Sequence, residues 1–374
     1  MSPRSSAFSR RDLLSASLKF GIAAAWLRYS PLPALAGSVA QDSRIAATPL
    51  VDKGFASVRK VGTAAYATIS DSSKGPQTLC NGGFIAGRDA ALIVEGHMQP
   101  AGAAFEVDSL RMVSKAPVRG ALNTHYHFDH TYGNAYYGAN GIPVWAHAKA
   151  AGMMQQNYAA IQGRPKAEVL GPVQKQLAAA KEEKIRKRIE TDANAFGFLY
   201  DATQSTVLAL PNDPIDPAKG RNVDLGGVKA EISAHPGHTP TDLIVRIPNE
   251  NITFTGDLLF NGMYPVTLDA DMAAWRRVMR MFGGYGKDAL FIPGHGQICG
   301  QDGISGQIAV MDHIGEHAEK MFKAGVPVGE AINRYEVPPQ FANLGIFSWA
   351  FTIGRGIESY YAGFRKSAAP PKKG

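Results

Sequence analysis

Histidine and aspartate are concentrated in one short segment of the chain, which reads HYHFDH over residues 125–130. In an extended segment alternate side chains point to the same face, so His125, His127 and Asp129 would share one side. A turn after Asp129 would bring His130 round to the same point. Neutral imidazoles bind borderline metals such as zinc, and a carboxylate among them adds a hard ligand. The segment therefore predicts a metal site.

Three later motifs add the same residue types, each where an apolar run meets a glycine-containing turn: Pro236-Gly237-His238-Thr239, Thr255-Gly256-Asp257-Leu258 and Pro293-Gly294-His295-Gly296. Sheets of α/β proteins gather their sites at strand ends, where loops present side chains to a common cleft. Separate structural roles for all of these histidines would require several coincidences. We therefore expect His238, Asp257 and His295 to join the cluster at residues 125–130.

The elements that must position these motifs alternate between strands and helices. Apolar runs bounded by glycine turns predict strands at residues 65–70, 83–86, 90–94, 120–124, 228–233, 243–247, 252–255 and 289–292. Helices are predicted at residues 272–282 and 308–323. Residues 149–198 are rich in Ala, Gln, Lys and Glu and predict exposed helices. Strands that alternate with helices favour an α/β fold.

The composition of the 374-residue chain excludes several classes of protein. Hydrophobic residues make up 45% and charged residues 19%, so a sizeable core can form and wholesale disorder is excluded. The only cysteines, Cys80 and Cys299, exclude a disulfide scaffold, and we expect two unpaired thiols. No apolar run reaches the length of about 18 residues that a stable membrane span needs.

The charge distribution favours a small-molecule substrate over nucleic acid. The net charge of +7 is spread along the chain, and the basic run at residues 181–188 lacks the interleaved aromatic residues of nucleic-acid-binding segments. We therefore expect a small-molecule substrate and no nucleic-acid partner. The oligomeric state is left open.

The N-terminal segment resembles an export signal. Arg10 and Arg11 precede a mildly apolar stretch at residues 13–27, and Ala34-Leu35-Ala36 is a small-x-small cleavage pattern. A paired arginine before a short hydrophobic region is typical of twin-arginine signals, which predicts export to the periplasm with cleavage near Ala36. The alternative is an uncleaved amphipathic N-terminal helix.

The sequence from about Asn81 to His295 resembles the metallo-β-lactamase superfamily. The resemblance rests on the HxHxDH motif and on the ordered histidine, aspartate and histidine that follow it. It implies a four-layer αβ/βα sandwich with a metal site at one edge of the paired sheets. The expected organisation is a signal peptide at residues 1–36, a linker at 37–60, the metallo-β-lactamase domain at 61–307 with a helical insertion at 149–198, and a helical C-terminal extension and tail at 308–374.

The resemblance also implies how the ligands divide between two metal ions. By position, the first ion would be held by His125, His127 and His238, and the second by Asp129, His130 and His295, with Asp257 bridging both. Two Zn²⁺ ions are implied, with iron as the alternative metal. Asp129 is also implied in catalysis, where it would orient a hydroxide and accept or relay a proton. An aspartate in the bridging position is similar to the glyoxalase II branch, and zinc β-lactamases with cysteine there match less well.

Substrate contacts are expected near two of the trailing motifs. His235 comes shortly before His238, and Asn261, Met263 and Tyr264 follow Asp257, where a substrate wall is expected. A place in the core is the equal alternative for Tyr264. Hydrogen bonds that orient the ligating imidazoles are expected from neighbouring polar residues. The candidates are Asn123, Thr124, Thr239 and Thr255.

These observations predict an exported, metal-dependent hydrolase that acts on an ester, thioester, lactone or lactam, similar to the exported zinc hydrolases of quinoprotein relay systems. The chain departs from the superfamily after His238, where Thr239-Pro240-Thr241-Asp242 replaces the usual Thr-x-Gly. It also lacks the basic glutathione-binding motifs of glyoxalase II, which counts against a thioester. The alternative hydrolase is a zinc β-lactamase, and the alternative of another class is a mononuclear iron sulfur-oxidising dioxygenase. A non-catalytic binding protein is disfavoured because every expected ligand is present.

Overall fold

The computed structural model describes residues 42–368, within which two β-sheets face each other. The expected signal peptide at residues 1–36 and the last residues of the C-terminal tail lie outside the described residues. In the part of the chain that is described, no helix combines the length and the apolar character that crossing a membrane requires.

The first sheet has eight strands within residues 42–368, and their spatial order follows the sequence. They are β1 (Val51–Asp52), β2 (Ala56–Lys60), β3 (Ala65–Ser70), β4 (Gly82–Ala86), β5 (Ala91–Val94), β6 (Val118–Leu122), β7 (Val144–His147) and β8 (Asp213–Ile215). Strands β1 to β5 run antiparallel, and β5 to β8 run parallel. The expected linker at residues 37–60 is wrong for residues 51–60, which form β1 and β2 because Ala56 and Val58 are buried in the outer core of this sheet.

The second sheet has five strands among the described residues, in the spatial order β13-β12-β11-β10-β9. They are β9 (Arg221–Asp224), β10 (Lys229–Ala234), β11 (Leu243–Ile247), β12 (Ile252–Asn261) and β13 (Leu290–Gly296). Strand β12 runs parallel to β13, and the other neighbours are antiparallel. The pairing of β12 with β13 shifts register around Gly256, next to one of the expected metal ligands.

Helices connect and cover the two sheets. Those in the described part of the chain are α1 (Pro100–Val113), α2 (Asn134–Ala139), α3 (Ala150–Ala159), α4 (Lys166–Ala179), α5 (Glu183–Ser205), α6 (Met272–Gly283), α7 (Gln301–Lys323), α8 (Val328–Arg334) and α9 (Arg355–Ala368). The expected helical segment at residues 149–198 contains α3, α4 and most of α5. The expected helix at 308–323 extends back to Gln301 and forms α7.

The two sheets pack face to face over a shared apolar core. This core contains Leu92 of β5 in the first sheet and Phe254 and Ile292 of β12 and β13 in the second. Ile93, the neighbour of Leu92, belongs to the core on the opposite face of the first sheet. Alternate side chains of β5 therefore serve two cores, as expected for a strand buried on both faces.

Helices cover the outer face of each sheet. On the first sheet, the outer core includes Phe105 and Leu110 of α1. On the second sheet, it includes Trp275 of α6, Met311 of α7 and Ile357 of α9. Helix, sheet, sheet and helix thus stack in order, and the predicted four-layer αβ/βα sandwich is confirmed.

Arg188 of α5 connects the helical segment between β7 and β8 to the C-terminal segment. Its guanidinium donates hydrogen bonds to the carbonyls of Asn333 (2.8 Å) and Tyr335 (2.6 Å). It also lies over the Trp349 ring, 3.6 Å from the ring centroid. Because Arg188 is buried, these contacts give a desolvated cation both hydrogen-bond acceptors and an aromatic face. The insertion and the C-terminal extension therefore pack against each other.

Candidate metal centre

The candidate metal ligands lie at strand ends from both sheets. The segment at residues 125–130 follows β6, His238 follows β10, and Asp257 and His295 lie in β12 and β13. All the side chains predicted as ligands fall into two adjoining groups, within which one ligand atom from each residue lies less than 4.8 Å from the others. The convergence expected from the motifs is therefore what the fold produces.

Two backbone features allow this convergence. A short 3-10 helix at Phe128–His130 turns the chain, so that the rings of His125 and His130 lie with their centroids 4.2 Å apart. At Gly294 a Cβ atom would lie 1.9 Å from Asp257 Oδ1, so only glycine lets β13 pass this close to the carboxylate.

The first group consists of His125, His127 and His238, together with one oxygen of Asp257. His238 Nε2 lies 3.0 Å from His127 Nδ1. Asp257 Oδ2 lies 3.9 Å from His125 Nε2 and 3.6 Å from His238 Nε2. Two ligands bound about 2.05 Å from a tetrahedral zinc ion are roughly 3.3 Å apart, so these separations are close to those of a coordinated set.

The second group consists of Asp129, His130 and His295. Asp129 Oδ2 lies 3.4 Å from His130 Nε2 and 3.2 Å from His295 Nε2. The Asp257 carboxylate also reaches this group, with Oδ1 3.1 Å from His130 Nε2 and Oδ2 3.4 Å from His295 Nε2. Asp257 therefore lies between the two groups and contacts both.

Unsatisfied polar atoms distinguish this cluster from a hydrogen-bond network. His125 Nε2, His130 Nε2 and Asp257 Oδ1 are buried, and none makes a hydrogen bond of good geometry among the described residues, although the last two lie 3.1 Å apart. A buried polar atom without a partner costs about 1–3 kcal/mol, so a cluster of them points to an ion that satisfies them together. The nitrogen and oxygen donors present are those that zinc takes, and iron accepts the same set. The residues therefore fit divalent metal ions.

The protonation states of His125, His238 and Asp257 suit metal binding. Burial lowers the pKa of His238 to about 3 and holds the pKa of His125 well below its ordinary value. Burial opposes ionisation of Asp257, but His295 and His130 nevertheless hold the pKa of this carboxyl well below its ordinary value. Neutral imidazoles and an ionised carboxylate are the forms that bind a cation. In the second group burial opposes protonation, but neighbouring acidic groups raise the pKa of His130 well above its ordinary value and that of His295 to about 10, so an ion bound there must displace protons from these rings.

A cavity of about 360 Å³ lies over the cluster, and four candidate ligands form part of its wall: His127, Asp129, Asp257 and His295. The rest of the wall is mainly apolar and comes from the ligand loop, from α3 and α5, and from the C-terminal segment at residues 347–355. The expectation that residues 149–198 cover the metal-site edge is confirmed for α3 and α5. The volume lies within the range of small-molecule sites, about 300–1,000 Å³.

The sequence profile of the metallo-beta-lactamase superfamily matches residues 76–295, which is more than half of the chain. The chain belongs to the metallo-beta-lactamase superfamily. Lactamases and sulfatases of this superfamily are hydrolases, and the protein is a hydrolase of the same superfamily. No curated protein sequence matches the chain.

Solved structures with the metallo-beta-lactamase fold resemble the protein at low sequence identity. The stereoselective inverting sec-alkylsulfatase Pisa1 from Pseudomonas sp. is 15% identical with a TM-score of 0.53, and the match covers 84% of this chain and 52% of that one. A metallo-beta-lactamase from Pontibacter korlensis is 17% identical with a TM-score of 0.49, and the match covers 68% of this chain and 98% of that one. The chain thus spans about half the length of the alkylsulfatase. At these identities the likeness shows the fold alone.

Glu95 holds the ring of His130 in place, and its role was not predicted from the sequence. Glu95 Oε1 lies 3.1 Å from His130 Nδ1 and accepts a hydrogen bond from the Thr124 hydroxyl. Glu95 Oε2 accepts a longer hydrogen bond, 3.3 Å, from the Thr124 amide N–H. The residue has a φ of +88°, a conformation that residues other than glycine rarely adopt. A carboxylate at this place orients the imidazole and leaves Nε2 to bind a metal.

Asp269 and a backbone carbonyl hold two rings of the first group. Asp269 Oδ2 lies 3.0 Å from His127 Nε2 and accepts a 2.5 Å hydrogen bond from the Tyr126 hydroxyl. His238 Nδ1 donates a hydrogen bond of 2.8 Å to the Val266 carbonyl. The opposite nitrogen of each ring, His127 Nδ1 or His238 Nε2, therefore faces the cluster.

Asp242 closes the turn that presents His238, in the stretch that departs from the expected Thr-x-Gly. Its Oδ2 accepts hydrogen bonds from the amide N–H groups of Gly237 (2.9 Å) and Thr239 (2.8 Å), and its Oδ1 accepts one from the Thr239 hydroxyl (2.6 Å). Burial raises the pKa of Asp242 to about 7, although these hydrogen bonds oppose the rise. A carboxylate rather than a glycine thus shapes this turn.

Three of the residues expected to contact substrate, His235, Asn261 and Tyr264, lie outside the cavity wall. His235 hydrogen-bonds a serine hydroxyl of its own strand at 2.8 Å, and Asn261 donates to a backbone carbonyl just after β13 at 2.9 Å. Tyr264 is fully buried, and its hydroxyl lies 3.3 Å from that of Tyr335. Strand β12 runs on to Asn261, and of the residues expected after Asp257 it is Met263 that lies in the wall.

Of the four polar neighbours proposed to orient the imidazoles, Thr124 is the one beside a ring. Its hydroxyl lies 3.2 Å from His125 Nδ1 and also bonds Glu95. Asn123 donates to the His130 carbonyl, and the Thr255 hydroxyl donates to backbone carbonyls. An acidic residue directly after a buried strand is the signal that would have identified Glu95. No local pattern distinguishes Asp269 from other loop aspartates.

The cysteines are not part of the metal centre. Cys80 and Cys299 are both buried and unpaired, as expected. Cys80 Sγ lies 3.5 Å from His97 Nδ1, and His97 Nε2 lies 3.2 Å from Glu106 Oε2. These side chains form a separate buried cluster between β4, the loop after β5 and α1.

Proposed function

We propose that the protein is a dinuclear zinc hydrolase that cleaves an ester, thioester, lactone or lactam bond in a small-molecule substrate. The observation that supports this most directly is the position of Asp257. Its carboxylate oxygens lie 3.1–3.9 Å from ligand nitrogens of both groups. Two-metal hydrolytic sites hold their ions about 3.5–4 Å apart, which a shared carboxylate can span.

The residues that would hold each ion follow from the two groups. One ion would be held by His125, His127 and His238, and the other by Asp129, His130 and His295, with Asp257 shared. When bound, such ions lower the pKa of a coordinated water from 15.7 to about 7 and polarise the bond that is cleaved. Glu95 and Asp269 keep the imidazoles of the two groups in their binding orientation.

Asp129 is the residue of this chain that we assign to proton handling. Its carboxylate forms part of the cavity wall beside His295. Burial opposes ionisation of this group, yet His130 and His295 hold the pKa of Asp129 well below its ordinary value. An ionised carboxylate at this place can accept a hydrogen bond from the attacking water, fix its direction and pass its proton to the leaving group.

We also propose that the enzyme works in the periplasm. The support comes from the paired Arg10 and Arg11 ahead of the apolar stretch at residues 13–27 and the small-residue pattern that ends at Ala36. An unfolded chain with this many ligand side chains would bind metals indiscriminately. A route that exports folded proteins would allow the metal centre to be loaded before export.

Metal analysis combined with a substrate screen tests the proposed activity. We expect two zinc ions per chain, and hydrolysis of a member of the ester, thioester, lactone or lactam panel that a chelator abolishes and zinc restores. His127→Ala is expected to lose zinc and activity. The matched control His235→Ala is expected to keep both, because His235 lies outside the cavity wall.

The alternatives give different outcomes in the same experiment. A single iron ion per chain with oxygen-dependent oxidation of a persulfide would replace the proposal by the dioxygenase alternative. Chelator-sensitive turnover of nitrocefin would narrow the hydrolase to a β-lactamase. No hydrolysis of any of the four classes by the fully zinc-loaded protein would contradict the proposal.

A further inference from the structure

Beyond the metal ligands, aromatic and aliphatic side chains make up most of the cavity wall. Phe128 belongs to the ligand loop, Phe196 and Leu199 lie on α5, and Phe351 lies in the segment before α9. These residues come from regions that are far apart in the sequence, including the insertion and the C-terminal extension. The apolar surface is therefore assembled by the tertiary fold and faces the metal centre.

Few charged side chains contribute to the cavity wall, and its carboxylates are Asp129, Asp257 and Asp269. The first two belong to the cluster of candidate ligands. Among the described residues, Arg355 is the only lysine or arginine in the wall. Its side chain is 53% exposed, and its guanidinium lies 2.8 Å from Glu358 Oε2. Away from these groups the wall offers no charge to an ionic group, which would lose its hydration there without compensation.

Contacts between the insertion and the C-terminal extension hold this wall together. The rings of Phe196 and Phe351 pack edge to face with their centroids 4.9 Å apart. Arg188, eight residues before Phe196 on the same helix, binds the C-terminal extension through the Tyr335 carbonyl and the Trp349 ring. Both walls of the cavity are therefore fixed to each other before a substrate binds, which favours recognition of a defined apolar shape.

We infer that the substrate carries an uncharged, apolar acyl group that fills this cavity while its carbonyl lies at the metal centre. This inference rests on the proposed hydrolase function. In the reaction, water adds to the acyl carbon, the acyl–oxygen bond breaks, the acyl group leaves as a carboxylic acid and the alcohol takes the remaining proton. Each methylene buried in the cavity adds about 0.8 kcal/mol of transfer free energy, a factor of roughly 4 in kcat/KM.

The test is the dependence of kcat/KM on acyl chain length for the zinc-loaded protein. The probes are p-nitrophenyl acetate, butyrate, hexanoate and octanoate, with the rate of zinc-free protein subtracted. We expect kcat/KM to rise roughly 4-fold per added methylene until the cavity is full. The mono-p-nitrophenyl ester of adipic acid, which ends in a carboxylate, is expected to react at least about 10-fold more slowly than the hexanoate.

Two variants on α5 locate the effect. Phe196→Ala removes part of the cavity wall, and we expect it to lower kcat/KM for the octanoate about 10-fold while changing that for the acetate less than about twofold. The matched control is Tyr200→Ala on the same helix, whose ring lies outside the cavity wall, 5.5 Å from the Lys166 ammonium. This control is expected to keep the chain-length preference. Circular dichroism melting of both variants identifies any general loss of folding.

The outcomes separate this inference from the proposed function. Equal kcat/KM for acetate and octanoate, or a preference for the adipate ester, would overturn the inference and leave the hydrolase function standing. If no ester is hydrolysed, calorimetric binding of octanoate and acetate to the zinc-loaded protein tests the cavity alone. Octanoate is expected to bind at least about 10-fold more tightly, and equal binding would overturn the inference.

Discussion

Replacing Glu95 by glutamine tests whether a carboxylate behind His130 determines metal affinity. Glu95 Oε1 lies 3.1 Å from His130 Nδ1, and both carboxylate oxygens accept hydrogen bonds from Thr124. In Glu95→Gln one of these oxygens becomes an NH₂ group, which cannot accept. Either the Thr124 amide or the Thr124 hydroxyl is then left without an acceptor, and His130 Nδ1 loses its ion-pair contact, in a site where Glu95 is only 1% exposed.

The size of the effect follows from this loss. Removing the carboxylate that orients a metal-binding histidine lowers metal affinity about 10–100-fold, which corresponds to about 1.4–2.7 kcal/mol. We expect Glu95→Gln to weaken the ion held by Asp129, His130 and His295 by this factor. The ion held by the other group is expected to keep its affinity within about threefold, because Glu95 touches none of its imidazoles directly.

A crossed variant provides the control. Asp269 Oδ2 lies 3.0 Å from His127 Nε2, so Asp269→Asn is expected to weaken the ion of the first group and spare the second. Competition with a chromophoric zinc chelator gives both dissociation constants for each variant. Equal losses at the two ions in both variants, or losses below about threefold throughout, would refute the assignment of Glu95 and Asp269 to separate ions.

The remaining predictions concern proton handling, pH and export. Asp129→Ala is expected to lower kcat by about 100-fold or more with little change in the circular dichroism spectrum. If the variant kept the wild-type kcat, Asp129 would neither bind metal nor handle protons. Because the pKa of Asp242 is about 7 in the folded protein against 3.8 ordinarily, the folded state binds the extra proton between these values. The free energy of unfolding is therefore expected to fall as pH rises from about 4 to 7. In Asp242→Asn this fall should be smaller, as measured by the urea midpoint of the metal-free protein at each pH. The same pH dependence in the variant would contradict this role of Asp242. Replacing Arg10 and Arg11 by lysine is expected to leave precursor in the cytoplasm, as read by immunoblots of cell fractions, and normal periplasmic accumulation would exclude the twin-arginine route.

The metal cluster could be predicted from the sequence because its ligands stand in local patterns. His125, His127 and Asp129 alternate after an apolar run, and His238 and His295 each follow a Pro-Gly pair. Strand ends of an α/β fold converge, so short-range patterns at several strand ends were sufficient to bring the ligands together. The length of β12 was not visible in the same way, because Gly256 and Asp257 interrupt its apolar run and the strand nevertheless continues to Asn261.

The groups that support the ligands could not be predicted, because they act across long sequence separations. Asp269 meets His127 only after the loop that follows β12 folds back over the ligand loop. The apolar wall from α5 likewise depends on the packing of α5 against the C-terminal extension. The α1 segment, Pro100–Val113, was missed because its alanine- and glycine-rich start lacks the apolar spacing that marks a helix.

Crystals of the zinc-loaded protein would show directly whether it holds two zinc ions. The measurement is X-ray diffraction on either side of the zinc absorption edge. We expect two anomalous peaks about 3.5–4 Å apart, one beside His125, His127 and His238 and one beside Asp129, His130 and His295. The Asp257 carboxylate is expected to contact both peaks. A single peak, or a strong signal at the iron edge with none at the zinc edge, would contradict the dinuclear zinc centre on which the proposed hydrolysis depends.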